Sequence, residues 1–317
     1  MANVQSTYSA FACAARSGLR CSFGDFGLAQ ALGPGKRLFL WARGLLPSRA
    51  ACSHALAIRE KTLGPEHRDT ATSLNSLGSV LLSDYPAVSR PLLERALAIR
   101  EKALGPEHPD TAASLNNLGS LLHNQGDFGR ARALYERVLA IHEKALGPEH
   151  PDTADSLNLL ALLLHVQGDL GGARALHERA LAIREKALGP EHPDTAASLN
   201  NLACLLHDQS DFARARSLFE RALAIQEKMF DPAHQNTNRT RTHLAQLLLT
   251  SGQPTEALAL GEIALAAHDK VLGRDKVWTK GSASVTADAL DALGRTEEAK
   301  ALRERYGVTS SEDPKRS

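Results

Sequence analysis

The string Leu-Gly-Pro-Glu-His begins at Leu63, Leu104, Leu146 and Leu188. A degraded copy runs from Phe230 to His234, and Leu272-Gly273-Arg274-Asp275 is a last echo. The intervals are 41 residues once and 42 residues four times. A fixed period of this length marks stacked supersecondary units, each too small to bury its apolar face alone.

One block reads as two helices. Leu115, Leu118, Gly119 and Leu122 stand at i, i+3, i+4 and i+7, a single helical stripe. Pro109 suits the first helical position, and Asp110 complements the positive end of the helix dipole. Gln125-Gly126-Asp127 breaks the pattern, after which Ala131, Leu134, Tyr135, Val138 and Leu139 form a second stripe. Gly147-Pro148 ends that helix, since Gly caps and Pro cannot continue. Only 4% of residues are aromatic while 43% are apolar, so Ala and Leu supply the core, which favours helices over strands.

These blocks resemble the tetratricopeptide repeat. Its small-residue positions match Gly119, Ala161, Ala203 and Ala245 in the first helix, and Ala131, Ala173, Ala215, Ala257 and Ala299 in the second. The bulky position after the second small residue holds Tyr135, His177 and Phe219, then Gly261. Turn glycines are Gly126, Gly168, Gly252 and Gly294, with Ser210 as the exception. The 42-residue length and the strings Leu-Asn-Asn-Leu and Ala-Ile-Arg-Glu-Lys look like the kinesin light chain subfamily. The resemblance implies an all-α helix-turn-helix solenoid wound as a right-handed superhelix, with the first helices lining a concave groove. The array is expected over 47–307, flanked by an N-terminal segment 1–46 and a disordered tail 308–317.

Several places depart from the pattern. Ser83-Asp84-Tyr85-Pro86 replaces the Gly turn of the first full repeat, and Pro91 falls inside its second helix unless that helix starts late. Arg241 stands where sister repeats have core leucines. Residues 277–306 read as a polar capping repeat. Gly24 to Leu32 mirrors Gly126 to Leu134, which suggests a further degenerate repeat. Residues 1–24 contain two Arg and no acid, a composition that fits an organellar transit peptide and a mitochondrial or chloroplast destination. Without such import the expected location is cytoplasmic.

Asparagine recurs on the first helices. One position holds Asn75, Asn116, Asn158 and Asn200, then Thr242; the next includes Asn117, Asn201 and His243. Asn is a mediocre helix former because its amide competes for backbone groups. One amide offers a donor and an acceptor, the pair that a peptide group presents. Stacked helices repeat about every 10 Å and an extended strand advances ~3.3 Å per residue, so one Asn meets about every third residue of a strand. The resemblance implies the same use, because asparagines of this kind hold cargo peptides in the subfamily. The expected peptide-binding residues are therefore Asn75, Asn116, Asn117, Asn158, Asn200, Asn201, Thr242 and His243. The subfamily also takes acidic, tryptophan-containing cargo on groove Lys and Arg. Here the matching positions are Ala113, Asp155 and Ala197, with Arg239 alone basic, so the middle of the groove is nearly neutral.

Other classes fit less well. Net charge is +1, and residues 1–59 hold seven Lys or Arg against Asp25 alone, which leaves the repeats slightly acidic. An RNA-binding helical repeat needs the opposite balance. Four cysteines lack any C-x-x-C spacing, and His rungs about 10 Å apart cannot share one zinc ion, so no metal or other cofactor is expected. Gly33-Pro34-Gly35-Lys36 lacks the phosphate-loop frame, and no Gly-x-Ser-x-Gly elbow occurs, so no enzyme is expected. The ladder His67, His108, His150, His192 and His234 sits in the repeated turn, where it caps helices. No apolar run approaches the ~20 residues that span a bilayer. The resemblance brings kinesin heavy chain as a partner, yet Gly33, Pro34, Gly35 and Pro47 break the heptad coil that this attachment uses. The reading is a non-catalytic adaptor that binds a partner protein or extended peptide, with an organellar assembly factor as the alternative.

Overall fold

The computed structural model describes residues 49–309. These form thirteen α-helices, with no strand among the described residues. In chain order they are α1 (Arg49–Leu63), α2 (Arg68–Leu81), α3 (Pro86–Leu104), α4 (Pro109–Asn124), α5 (Phe128–Ala145), α6 (Pro151–Val166), α7 (Leu170–Leu188), α8 (Pro193–Asp208), α9 (Phe212–Met229), α10 (Gln235–Thr250), α11 (Pro254–Leu272), α12 (Val277–Ala292) and α13 (Thr296–Tyr306). They divide into two packed units, one running to Gln167 and holding α1 to α6, the other starting at Gly168 and holding α7 to α13. Inside each unit every helix packs on the next one in sequence, as a solenoid requires. The expected segment 1–46 lies outside the described residues, as does the tail from residue 310.

The repeated turn builds itself from local chemistry. Gly105 stops α3 at φ +94°, a conformation that a side chain makes costly. Thr111 then donates its hydroxyl back to the Gly105 carbonyl at 2.8 Å. His108 caps α4, its Nδ1 accepting from the Asp110 amide at 3.0 Å. The same cap recurs at His67, His150, His192 and His234, in line with the sequence expectation. In the degraded copy the threonine bond is replaced: Asn238 Nδ2 donates to Pro232 O at 3.0 Å.

Each second helix is held on two sides. Towards its own first helix it buries an apolar pair: Ala96 and Ile99 against Ala71 and Leu74, Val138 and Ile141 against Ala112 and Leu115, Ala222 and Ile225 against Ala196 and Leu199. Covering one such isoleucine contributes roughly 1.5–3 kcal/mol. Towards the next first helix it extends a polar clamp. Arg100 Nη1 donates to Asp110 O and to Ser114 Oγ, both at 2.8 Å. Arg59 and Arg184 repeat the pattern on Asp69 O with Ser73, and on Asp194 O with Ser198. His142 places Nδ1 against Asp152 O and Ser156 in the same way. Exposed pairs Arg95–Glu60, Arg137–Glu101 and Arg221–Glu185, each 2.7 Å, link successive second helices. Half-solvated pairs of this kind add little energy and mainly set register.

The departures have physical answers. Helix α3 begins at Pro86, not later, and Pro91 stays inside it. The bond lost there is the one to the Ala87 carbonyl, and Ala87 is exposed, so water can serve instead. Arg241 fills its leucine slot with its aliphatic stem while the guanidinium reaches Glu227 at 2.8 Å and Asn238 at 2.7 Å. Gly119 is small because a Cβ there would lie 2.8 Å from the Tyr135 ring. At the end of the array, Val308 packs on Leu265, Ala283 and Tyr306, so that part of the expected tail belongs to the cap.

Two stability measurements test this account. Ser210 occupies the turn-glycine position at φ +63°, the only non-glycine among the described residues with positive φ. Ser210→Gly should stabilise the chain by about 0.5–1 kcal/mol and raise the melting temperature by about 2 °C. Arg100→Met keeps the stem but orphans Ser114 and the Asp110 carbonyl, so denaturant unfolding should show a loss of about 2 kcal/mol. An unchanged midpoint for Arg100→Met would rule out the clamp as a stabilising contact.

Candidate functional site

The first helices carry all eight expected peptide-binding residues, and they are far more enclosed than an open groove needs. Twelve of the sixteen residues of α4 are buried. In the unit ending at Gln167, Asn75 is 4% exposed, Asn116 6%, Asn117 3% and Asn158 fully buried. In the unit beginning at Gly168, Asn200, Asn201, Thr242 and His243 are all buried as well. Their amides are enclosed between helices rather than open to solvent.

The amides serve two different ends. Asn200 on α8 is bonded to α10: its Oδ1 accepts from Thr240 Oγ1 at 3.3 Å and lies 3.1 Å from His243 Nδ1. Thr242 on α10 shares a hydrogen bond with Ser282 on α12 at 2.8 Å. These polar residues tie one repeat to the next. At other positions the amide is not fully used. The Oδ1 atoms of Asn75 and Asn116, at one register position on α2 and α4, are buried without a hydrogen-bond partner. So are Asn117 Nδ2 and both amide atoms of Asn201. A buried polar atom left unpaired costs about 1–3 kcal/mol, so retaining several calls for a reason.

The second unit contains a buried basic knot. Arg239 lies with its guanidinium 4.9 Å from the Trp278 ring centroid and donates to Asn236 Oδ1. The His243 ring stands 5.8 Å from Trp278 and 6.0 Å from Phe219. Burial, then the charge of Arg239, with smaller contributions from His207 and His268, pushes His243 down to about 3; Asp208 opposes weakly. Burial and Arg239 likewise take His268 to about 4. Sequence reasoning named Arg239 but missed Trp278. The available signal was its rarity, since it is one of two tryptophans in the chain. In the first unit His123, near the end of α4, lies edge-on against Phe128 and is held near 4 by burial.

Cys204 Sγ lies 3.5 Å from His243 Nδ1. Among the described residues no group of three or more His, Cys, Asp or Glu side chains is placed to hold a metal ion. No helix among them is long and apolar enough to cross a membrane.

Models of the tetratricopeptide repeat match residues 86–144, 114–186 and 152–228, and further repeat models match 239–275 and 281–305. The crystal structure of nearly identical TPR-like repeats of a kinesin light chain-type protein from Podosopora anserina is 31% identical to this chain. It covers 63% of this chain and 94% of its own, with a TM-score of 0.55. This chain is a tetratricopeptide repeat protein of the kinesin light chain type. BtubC (BKLC) from P. vanneervenii, at 22% identity and TM-score 0.58, covers 71% of this chain and 91% of its own. The apo form of RapI, at 16% identity and TM-score 0.60, covers 86% of this chain and 94% of its own. Both share the fold. No curated relative matches. The tetratricopeptide array is a protein-interaction scaffold, and its partners are proteins.

The held-neutral histidines set a pH dependence. An unfolded histidine binds its proton near 6.5, whereas His243 does so only near 3 when folded. The unfolded chain therefore binds more protons in between, and stability is full above about pH 6.5 and drains as pH falls. Replacing His243 with Gln removes this contribution. The melting-temperature gap between the parent and His243→Gln should therefore narrow steadily from pH 7 to pH 4; a gap independent of pH would refute the assignment.

Proposed function

We propose that the array is a non-catalytic adaptor that holds an extended segment of a partner protein along its first helices, as the kinesin light chain-type relative invites. The observation that carries this reading is the unsatisfied amide oxygen at one register position on successive first helices, Asn75 on α2 and Asn116 on α4. An extended main chain presents the complementary donors and acceptors at a spacing of about three residues per repeat. Because these amides are buried, entry of the guest requires neighbouring repeats to rotate slightly apart. Solenoids allow this, since each repeat contacts only its neighbours. Within the first unit Asn117 extends the same chemistry and Asn158 contributes through the packing of α6; within the second unit Asn201 offers it separately, with Asn200, Thr242 and His243 acting through the packing of α8 and α10.

The cost of opening and of ordering the peptide offsets much of the hydrogen-bond gain, so affinity near micromolar follows. The nearly neutral middle of the first helices favours recognition of main chain and small side chains over acidic cargo. A cytoplasmic location accords with this role.

Capture on the full chain followed by mass spectrometry identifies the partner segment, and calorimetry with the corresponding peptide measures the rest. The double variant Asn75→Ala, Asn116→Ala should lose binding at least tenfold, about 1.4 kcal/mol, with melting temperature unchanged or higher. Asn200→Ala should instead lower stability by about 1 kcal/mol, because it cuts bonds between α8 and α10. Peptide affinity untouched by the double variant, or a stability loss as large as that of Asn200→Ala, would show that Asn75 and Asn116 hold the solenoid rather than a guest.

A further inference from the structure

The ladder of ion pairs between second helices is interrupted on α11. At one register position Arg95 reaches Glu60 and the Pro65 carbonyl, and Arg137 reaches Glu101 and the Pro106 carbonyl. Arg221 pairs with Glu185 from the same position. The next occupant is Ile263, and its counterparts of those acceptors are Glu227 and Pro232. They are served from inside instead: Arg241 of α10 reaches Glu227 at 2.8 Å and the Pro232 carbonyl at 3.1 Å. A second rung is missing too. Lys102, Lys144 and Lys228 pair with Glu66, Glu107 and Glu191, but the counterpart of those glutamates for Lys270 is Ala233. Lys270 has no ion pair among the described residues. Its neighbour Asp269 accepts from the Tyr306 hydroxyl at 2.8 Å.

The surface left behind is apolar. Met229 at the end of α9, Ile263 and Val271 are 52%, 51% and 55% exposed. Ala259 and Ala266, four residues before Ile263 and three after it, are exposed on the same face of α11. One exposed apolar side chain is ordinary, but here the link to Glu227 is kept by a cation in a core leucine slot while the outer position is freed of its arginine. This face is not an end of the array, since α10 precedes α11 and both α12 and α13 follow it. We propose that it docks an amphipathic helix of a partner protein, with leucine-like side chains on Ile263 and a carboxylate on Lys270. Lys270 stands seven residues after Ile263, about 10 Å along the same face. A guest helix lying along α11 matches that spacing with an apolar residue and an acid seven positions apart. Charge selects the acid. Lys270 lacks a partner, whereas Glu227 is held by Arg241, and Glu262 lies within range of the Arg295 charge. So few anchors support weak, reversible docking. The surface belongs to second helices and is separate from the amides of the first helices.

The probe is a synthetic helix-forming peptide of about four turns, with a leucine stripe and glutamates seven residues along from it, beside a twin with lysines in place of the glutamates. Fluorescence anisotropy of each labelled peptide is read on the full chain. The glutamate peptide should bind the parent better than its twin, and Lys270→Glu should reverse that order, each preference being about tenfold. Ile263→Gln should weaken both peptides. Ala233→Glu installs the sister residue and occupies Lys270, so it should weaken the glutamate peptide about threefold. Circular dichroism checks that all three variants keep the helical fold. The proposal is overturned if the parent does not prefer the glutamate peptide, if the preference survives Lys270→Glu, or if Ile263→Gln leaves affinity unchanged. It is equally overturned if sedimentation shows a parent dimer that Ile263→Gln dissolves, which means a second copy covers the face. Anionic vesicles bound through Ile263 and Lys270 in place of the peptide would overturn it in favour of a membrane.

Discussion

The structure depends on one burial that no single helix can achieve: the small apolar pair on a second helix must be covered by its own first helix. Ala96 with Ile99, and Ala222 with Ile225, show the contact at two places in the chain. Everything else follows from keeping that contact in phase. The His cap and the Thr-to-Gly bond start each first helix at the same point. The Arg or His clamp then fixes how far the following repeat is turned. These clamp residues, Arg59, Arg100, His142 and Arg184, bond to the backbone ten residues ahead and to a serine fourteen ahead. A geometry set by sequence separation of that kind repeats wherever the string repeats.

The same constraint shapes what the array offers a partner. First helices lie inside, between second helices and one another, so polar residues on them must be paired or pay for their burial. The chain does both. Asn200, Thr242 and His243 are paired across repeats, and around Arg239 and Trp278 the polar residues form a closed knot. Asn75 and Asn116 keep unpaired carbonyl oxygens in the same register. Polar cross-links join α8 to α10 and α10 to α12, while α2 and α4 keep idle amide oxygens.

Much of this was legible beforehand. The period, the two helices per unit, the capping role of His67 and its sisters, and the exception at Ser210 all rest on chemistry within a few residues of chain. That chemistry is the same in each copy, so reading it five times over makes it secure. The clamp was missed because Ala-Ile-Arg-Glu-Lys looks like an ordinary amphipathic helix end. Nothing in the string says that Arg100 turns inward rather than to solvent. Pro91 was read as a reason for a late helix start, but an exposed Ala87 let α3 run through it.

The sequence alone determined that this chain repeats, that its repeats are helix pairs, and where the His-capped first helices begin, because caps, turn glycines and apolar spacing act locally. Tertiary structure decided the fate of the asparagines. Asn116 and Asn200 sit in identical strings, yet one keeps an idle oxygen and the other is bonded to α10. The difference comes from the residues about forty positions further on: Thr240 and His243 give Asn200 partners from the next helix. A side chain that finds its hydrogen bond one repeat away is governed by how the repeats stack, and no local pattern records that.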